Sequence, residues 1–151
     1  MTSKALDTAE KCVQRADAFV LTGQSLHDVG DEWAVVCYFY ASYHLMRAAF
    51  IGDTIFDSVA RLSAVDSRFT LADRFVAMHR GRKGDRERKP GVNDIVSKLY
   101  PQISFEYLEL HQWSVNVRYN EGLEPSASIA DAKLYYERIR SAFDAGTLKA
   151  K

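Results

Sequence analysis

Cysteine is scarce in this sequence, and its placement excludes several classes of protein. Cys12 and Cys37 are the only two thiols, and they form neither a CxxC motif nor a ligand spacing with the four histidines. A disulfide framework and a zinc site are therefore not expected. The N-terminal residues also lack the basic and apolar regions of a secretory signal, so we expect a protein of the reducing cytoplasm.

A long uncharged run and an excess of charge of one sign are also missing. The longest stretch without Asp, Glu, Lys or Arg runs from Trp33 to Met46 and contains His44. It is shorter than the roughly 20 apolar residues that a membrane-spanning helix needs, so we expect no membrane partner. Lys plus Arg equals Asp plus Glu at 20 each, so any polyanion must be met by a local basic surface.

The common signatures of enzymes and cofactor sites are absent as well. The sequence has no HExxH, P-loop, GxSxG or GxGxxG motif. The residues three positions before the histidines are Gln24, Ala41, Val76 and Leu108. None of them is the glutamate that a Glu-x-x-His pair of a di-iron bundle requires. We therefore predict no metal and no cofactor.

Helical periodicity is what the sequence does have. The chain has 151 residues and is 47% hydrophobic, which is enough for one helical-bundle domain over residues 1–151 with a core of its own. Apolar residues recur every three or four positions, and strand-type alternation does not occur. The predicted fold class is all-α, a bundle of four to five main helices.

Caps and helix breakers divide the chain into predicted helices. The first runs from Ser3 to Leu21, with Thr2 or Ser3 as its cap and Gly23 as its stop. The second begins after Asp31 and ends at Gly52, and because it is apolar nearly all round we expect it to be the innermost helix. The other predicted helices cover residues 56–62, 67–79, 93–100 and 103–119, and a last one follows a cap at Ser128.

Two of these helices carry a stripe of polar residues on an otherwise apolar surface. The stripe of the central helix is Tyr40, His44 and Arg47, and that of the later helix is Tyr107, His111, Ser114 and Arg118. Two interpretations are open. The stripes either face one cleft, or they are core residues that hydrogen-bond internally while their arginines reach solvent.

The middle of the chain combines an arginine, a histidine and a basic segment. Arg74 and His79 form an Arg-x4-His pattern at the predicted end of a helix. The cations that follow are Arg80, Arg82, Lys83, Arg86, Arg88 and Lys89. Either His79 is a candidate acid or base beside a loop that attracts phosphates, or the loop is a solvated surface that keeps the protein soluble.

Three stretches of the sequence resemble the HEPN superfamily of small all-α bundles, which occur in prokaryotic defence, toxin–antitoxin and RNA-processing systems. They are EWAVVCYFYASYHLMRAAF, RFVAMHRGR and LHQWSVNVRY, the last ending in Arg118 and Tyr119. The resemblance implies a homodimer that cleaves RNA without a metal or cofactor at a site across the dimer interface. It also implies a cognate antitoxin or another complex partner.

In such an enzyme His79 would be the acid or base, and Arg74 or Arg82 would bind the phosphate. The basic loop would guide the RNA. Tyr119 and the two polar stripes would line a secondary cleft. Phe75 stands where active members of the family usually carry a polar residue, and several of its branches are not catalytic. A module that binds a partner protein, a nucleotide or a nucleic acid without cleaving it is therefore the alternative function.

Overall fold

The computed structural model describes residues 6–79 and 89–150, and within these ranges it contains helices and no strand. Helices α1 to α6 cover Ala9–Asp28, Trp33–Gly52, Val59–Val65, Val92–Leu99, Ser104–Tyr119 and Ile129–Asp144. Two 3₁₀ helices, Thr54–Asp57 and Leu71–Phe75, lie before and after α3. The predicted helical bundle is confirmed, and α1, α2, α5 and α6 are its long helices.

Helix α2 is the centre of the bundle. Fifteen of its twenty residues are buried, and it contacts α1, α4, α5, α6 and the Leu71–Phe75 helix. Its first turn is capped by the Asp31 carboxylate, which accepts a hydrogen bond from the Trp33 amide at 2.9 Å. The prediction that this helix is innermost is therefore correct. Its polar residues must consequently find partners on the neighbouring helices.

The boundaries of α1 differ from the prediction. The helix begins at Ala9 rather than Ser3, because the Thr8 hydroxyl accepts a hydrogen bond from the Lys11 amide at 3.2 Å. Residues 2 and 3, the predicted caps, lie outside the described residues. The helix also continues through Gly23, which is buried against α2. Gly23 thus lets two helices approach closely and does not end α1.

The predicted helix over residues 67–79 is wrong. Only Leu71–Phe75 is helical, and it is a 3₁₀ helix, after which Val76 has a ψ of 140° and the chain is no longer helical. The predicted helix over residues 56–62 is also displaced. A 3₁₀ turn ends at Asp57, and α3 begins only after Ser58, whose hydroxyl accepts a hydrogen bond from the Arg61 amide at 3.2 Å.

His79 therefore does not stand at the end of a helix. The segment before it is bound to α2, because the Tyr43 hydroxyl donates a hydrogen bond to the Ala77 carbonyl. The carbonyl of His79 itself accepts a hydrogen bond from the Asn93 amide, 2.9 Å away, at the start of α4. These bonds place the segment that carries His79 between α2 and α4.

The later helices agree with the sequence. Helix α4 ends just before Pro101, and α6 begins after Ser128, whose hydroxyl accepts a hydrogen bond from the Asp131 amide at 3.0 Å. The residues after α6 return to the core, where Leu148 and Ala150 are buried. One cluster of buried side chains receives residues from all six α-helices and from this C-terminal segment.

Candidate functional site

The polar stripes of α2 and α5 meet at Tyr40. Arg118 donates a hydrogen bond from Nη1 to the Tyr40 hydroxyl at 2.9 Å. The same guanidinium is held by its own helix, because Nε donates to the Ser114 carbonyl at 3.1 Å and Nη2 to the Ser114 hydroxyl at 3.2 Å. Ser114 in turn donates its hydroxyl proton to the His111 carbonyl at 2.7 Å. The structure thus brings these four predicted residues together.

His79 lies among the aromatic rings of both helices. The centroid of its imidazole is 4.5 Å from that of Tyr43, 5.7 Å from that of Tyr40 and 5.8 Å from that of His111. Burial lowers the pKa of His79, and the positive charge of Arg118 lowers it further. The imidazole is therefore neutral at pH 7, the form that can accept a proton.

His44 and Arg47 lie on the side of Tyr43 that faces α1. The His44 ring is stacked on Phe19 with centroids 5.6 Å apart, and only 7% of its surface is exposed. Burial is the main reason that the pKa of His44 falls to about 4, and Arg47 and Arg15 lower it further. The guanidinium carbon of Arg47 lies 5.7 Å from the centre of the Tyr43 ring.

His111 is buried beside the start of α4. Its Nδ1 lies 3.3 Å from the side-chain amide nitrogen of Asn93, and its ring packs against Phe39 with centroids 5.2 Å apart. Asn93 therefore joins α4 to the α5 stripe. The His79 cluster, as we call it below, consists of Tyr40, Tyr43, His44, Arg47, His79, Asn93, His111, Ser114 and Arg118.

Buried polar atoms without a hydrogen-bond partner are concentrated at this cluster. Within the described residues, four of them belong to the cluster, namely His44 Nδ1, Arg47 Nε, His79 Nδ1 and Asn93 Oδ1, and two lie outside it, the Tyr107 hydroxyl and Arg74 Nε. The Tyr107 ring contacts Phe39 beneath the cluster, with centroids 5.6 Å apart. Because buried polar groups are nearly always paired, such a concentration is typical of a site that binds water or a ligand.

The cluster carries positive charge without nearby compensation. Neither Arg47 nor Arg118 contacts a carboxylate among the described residues. Arg68, Arg138 and Arg140, on other surfaces, each form an ion pair. With His44 and His79 neutral, the two guanidiniums of the cluster attract an anion.

Arg74 is not part of the cluster, which corrects the expectation that it lies beside His79. Its guanidinium points to the first 3₁₀ helix, where Nη2 donates hydrogen bonds to the Asp57 carboxylate at 2.7 Å and to the Asp53 carbonyl at 3.0 Å. The reason is the end of the helix at Phe75, which removes the one-turn spacing that would have put Arg74 and His79 side by side. Arg118 from α5 takes the place beside Tyr40 and His79.

Most of the basic loop lies outside the described residues. Arg80, Arg82, Lys83, Arg86 and Arg88 lie outside the described residues, so the alternative pairing of His79 with Arg82 remains a prediction. Lys89 is described and exposed. Tyr119, the remaining predicted residue, is 74% exposed at the end of α5, and the Arg118 guanidinium carbon lies 5.1 Å from the centre of its ring.

In the described part of the chain, no group of three His, Cys, Asp or Glu side chains could hold a metal ion, and no helix is long and apolar enough to cross a membrane. A groove of about 730 Å³ lies between α5, α6 and the C-terminal segment, far from the chemistry of the His79 cluster. Its charged lining residues are Glu106, Arg138 and Lys149, and the first two form an ion pair at 3.9 Å.

Sequence reasoning missed four contributors to this region. Tyr43 and Asn93 hold the segment that carries His79, and Arg15 and Phe19 of α1 pack beside His44. The only available signal was the four-residue spacing of Arg15 and Phe19, which is common on helices. Comparisons with protein-family models, with curated proteins and with solved structures found no match to this chain.

Proposed function

We propose that this protein is a metal-independent endoribonuclease of the HEPN type and that the His79 cluster is its active site. The observation that carries the proposal is a neutral His79 beside Arg118, in a cluster that holds four buried polar atoms without hydrogen-bond partners and, in Arg47 and Arg118, two guanidinium donors without carboxylate partners among the described residues. An anion with several acceptor oxygens matches such donors, and phosphate is the commonest of them in biology.

RNA suits this site because it carries its own nucleophile. His79 accepts the proton of a ribose 2′-hydroxyl, whose oxygen attacks the adjacent phosphorus. Arg118 stabilises the negative charge that grows on the phosphate oxygens. The bond to the 5′-oxygen of the next nucleotide breaks, and that oxygen takes a proton from water or from a protonated cluster residue. The products are a 2′,3′-cyclic phosphate and a free 5′-hydroxyl.

Arg118 replaces Arg74 as the phosphate-binding residue in this mechanism. Arg118 shares Tyr40 with His79, and its charge affects the pKa of that histidine. Arg74 already has two acceptors on the first 3₁₀ helix. The Phe75 side chain, which is 52% exposed, supplies no hydrogen bond to the site.

A second copy of the chain belongs to the same proposal. Leu71, Phe75 and Met78 are each about half exposed and lie just before His79 along the chain. Apolar side chains beside a polar site suit a dimer contact that would bring two His79 clusters near one RNA. The resemblance to HEPN proteins also makes a cognate antitoxin or another complex partner part of the proposal.

The proposal is tested with purified protein and mixed RNAs in the presence of EDTA. We expect cleavage products with 2′,3′-cyclic phosphate ends. His79→Ala and Arg118→Gln should each lower the rate about a hundredfold or more. Arg74→Gln should stay within about threefold, and Arg61→Gln, whose guanidinium contacts only Thr54 among the described residues, is the matched surface control. Circular dichroism of each variant verifies that the fold is intact.

The pH profile gives a second measurement. Because the pKa of His79 is lowered, a rate limited by neutral His79 should rise with pH and reach half of its maximum below the ordinary histidine pKa of about 6.5. Cleavage that needs Arg74 but not Arg118 would contradict the assignment. Binding of RNA without any cleavage would favour the non-catalytic module.

A further inference from the structure

Arginine and aromatic side chains form a row that passes through the His79 cluster. The members, in spatial order, are Arg15, Phe19, Tyr40, Arg118 and Tyr119. Arg15 lies over the Phe19 ring at 4.9 Å, and the Phe19 ring is stacked on Tyr40 with centroids 5.5 Å apart. Arg118 lies 5.5 Å from the centre of the Tyr40 ring and 5.1 Å from that of Tyr119. The arginine–aromatic row, as we call it, thus joins α1, α2 and α5.

Both arginines of the row keep their charge available. Arg15 is exposed on α1. Among the described residues, neither Arg15 nor Arg118 forms an ion pair with a carboxylate. Arg140 of α6, by contrast, forms ion pairs with Asp17 of α1 and with Asp144. Among the described residues, therefore, no ion pair neutralises either guanidinium of the row.

The ends of the row are open to a ligand. Tyr119 is 74% exposed, and Arg118 contacts its ring on the side nearer Tyr40. Arg15 is exposed at the other end, whereas Tyr40 in the middle is only partly exposed. Tyr40 and Arg118, which belong to the His79 cluster, lie between Arg15 and Tyr119 in this series of contacts.

We propose that the arginine–aromatic row binds an unpaired RNA strand, with a base stacked on Tyr119 and a phosphate held by Arg15 on the opposite side of the His79 cluster. A single strand presents both unpaired bases and phosphates, which match the exposed ring of Tyr119 and the two guanidiniums of the row. In a duplex the faces of the bases are covered by their neighbours, so Tyr119 has nothing to stack on. An acidic peptide would need the cations but not the exposed ring.

This inference rests on the proposed function, because the strand crosses the same cluster that would cleave it. The test therefore uses a ligand that cannot be cleaved by that mechanism. A fluorescent 2′-O-methyl oligouridylate of about twelve nucleotides is titrated with wild-type protein, and binding is followed by anisotropy at several salt concentrations. The same strand annealed to oligoadenylate is the duplex control.

The variants separate stacking from charge. Tyr119→Ala should weaken binding of the single strand about tenfold, and Tyr119→Phe should stay within about twofold because the ring is retained. Phe105→Ala, at another exposed aromatic residue on α5, is the matched control and should leave binding unchanged. Arg15→Gln should reduce the slope of log K against log salt by about 0.7, whereas Arg138→Gln should not.

The outcomes distinguish this inference from the proposed function. If RNA is cleaved but the Tyr119 and Arg15 variants bind like their controls, the row does not bind the strand. The proposed ribonuclease activity is then supported without it. If binding depends on Tyr119 and Arg15 but no RNA is cleaved, the row binds the strand and the protein is a binding module. Equal affinity for the duplex and the single strand would overturn the assignment to an unpaired strand. If binding depends on Arg15 and on salt but not on Tyr119, the row binds an acidic partner and not an unpaired strand.

Discussion

Burial keeps His44 and His79 neutral, although both lie next to arginines. A protonated imidazole at either position would lose its hydration and be repelled by a guanidinium, which is why the pKa of both residues is lowered. The unfolded chain has no such environment, and its histidines titrate near 6.5. Below that pH the unfolded state binds protons that the folded state does not. The stability supplied by neutral histidines is therefore present above pH 6.5 and is lost as the pH falls.

The pH dependence of stability tests whether burial keeps His44 neutral in the folded protein. Because its folded pKa is about 4, the free energy of unfolding should fall by on the order of 3 kcal/mol between pH 6.5 and 4 from this residue. His44→Phe keeps a ring against Phe19 and Tyr43 but cannot be protonated. Urea unfolding at pH 7, 6, 5 and 4.5 should show a shallower loss of stability in the variant. His27→Gln, at a partly buried histidine of α1, is the control, and equal slopes for wild type and His44→Phe would contradict the assignment.

At the scale of the helices, the contact between α1 and α2 depends on a residue without a side chain. A Cβ at Gly23 would lie 3.1 Å from the Cβ of Cys37 and 3.3 Å from a ring carbon of Tyr38. The Cys37 Cβ is attached directly to the α2 backbone, so it can yield only if the two helices separate. The core between them is close-packed, and separating them affects every contact along their length.

Substitution at two glycines measures this constraint. Alanine favours a helix over glycine by about 1 kcal/mol, so Gly23→Ala should stabilise the protein if only helix propensity mattered. We expect a destabilisation of roughly 1 to 2 kcal/mol instead, because overpacking outweighs propensity. Gly52→Ala, at the end of α2 with no atom within 4 Å of the new Cβ, should be neutral or slightly stabilising. Thermal unfolding of both variants measures the difference in stability. A Gly23→Ala protein as stable as the Gly52→Ala protein would contradict the close approach of α1 and α2 at Gly23.

For the molecule as a whole, Asp53 joins segments that are far apart in the chain. Its carboxylate accepts hydrogen bonds from the Tyr100 hydroxyl at 2.7 Å, from the Ala150 amide at 2.8 Å and from the Ile55 amide at 3.0 Å. Asp53 is 6% exposed, so these bonds lie in the core. They connect the end of α2 to the chain after α4 and to the segment after α6, and thereby close the bundle at one end.

Removal of this carboxylate should affect the whole fold. Asp53→Ala leaves a buried hydroxyl and two buried amides without acceptors, so we expect a loss of about 3 kcal/mol in the free energy of unfolding. Asp57→Ala is the matched control, because its ion pair with Arg74 is exposed and should be worth at most about 1 kcal/mol. Denaturant unfolding compares the two. Equal losses would mean that Asp53 does not have this role.

Much of the architecture follows from local patterns that the sequence contains by itself. The apolar character of α2 on all sides predicts a central helix, and caps such as Ser128 predict where helices begin, because both signals depend on residues within a few positions of each other. The polar stripes were predicted for the same reason. Helical spacing alone puts Tyr40 and His44 on one face of α2, and His111 and Arg118 on one face of α5.

Only the tertiary structure decided which residues meet. Arg74 and His79 are close in sequence, yet the early end of the Leu71–Phe75 helix sends Arg74 to Asp57, while Arg118 comes to Tyr40 from another helix. Gly23 is a helix breaker by composition but a packing residue in the bundle. Such outcomes depend on contacts between segments that are distant along the chain, and on the competition among possible partners for each polar group, neither of which local spacing contains.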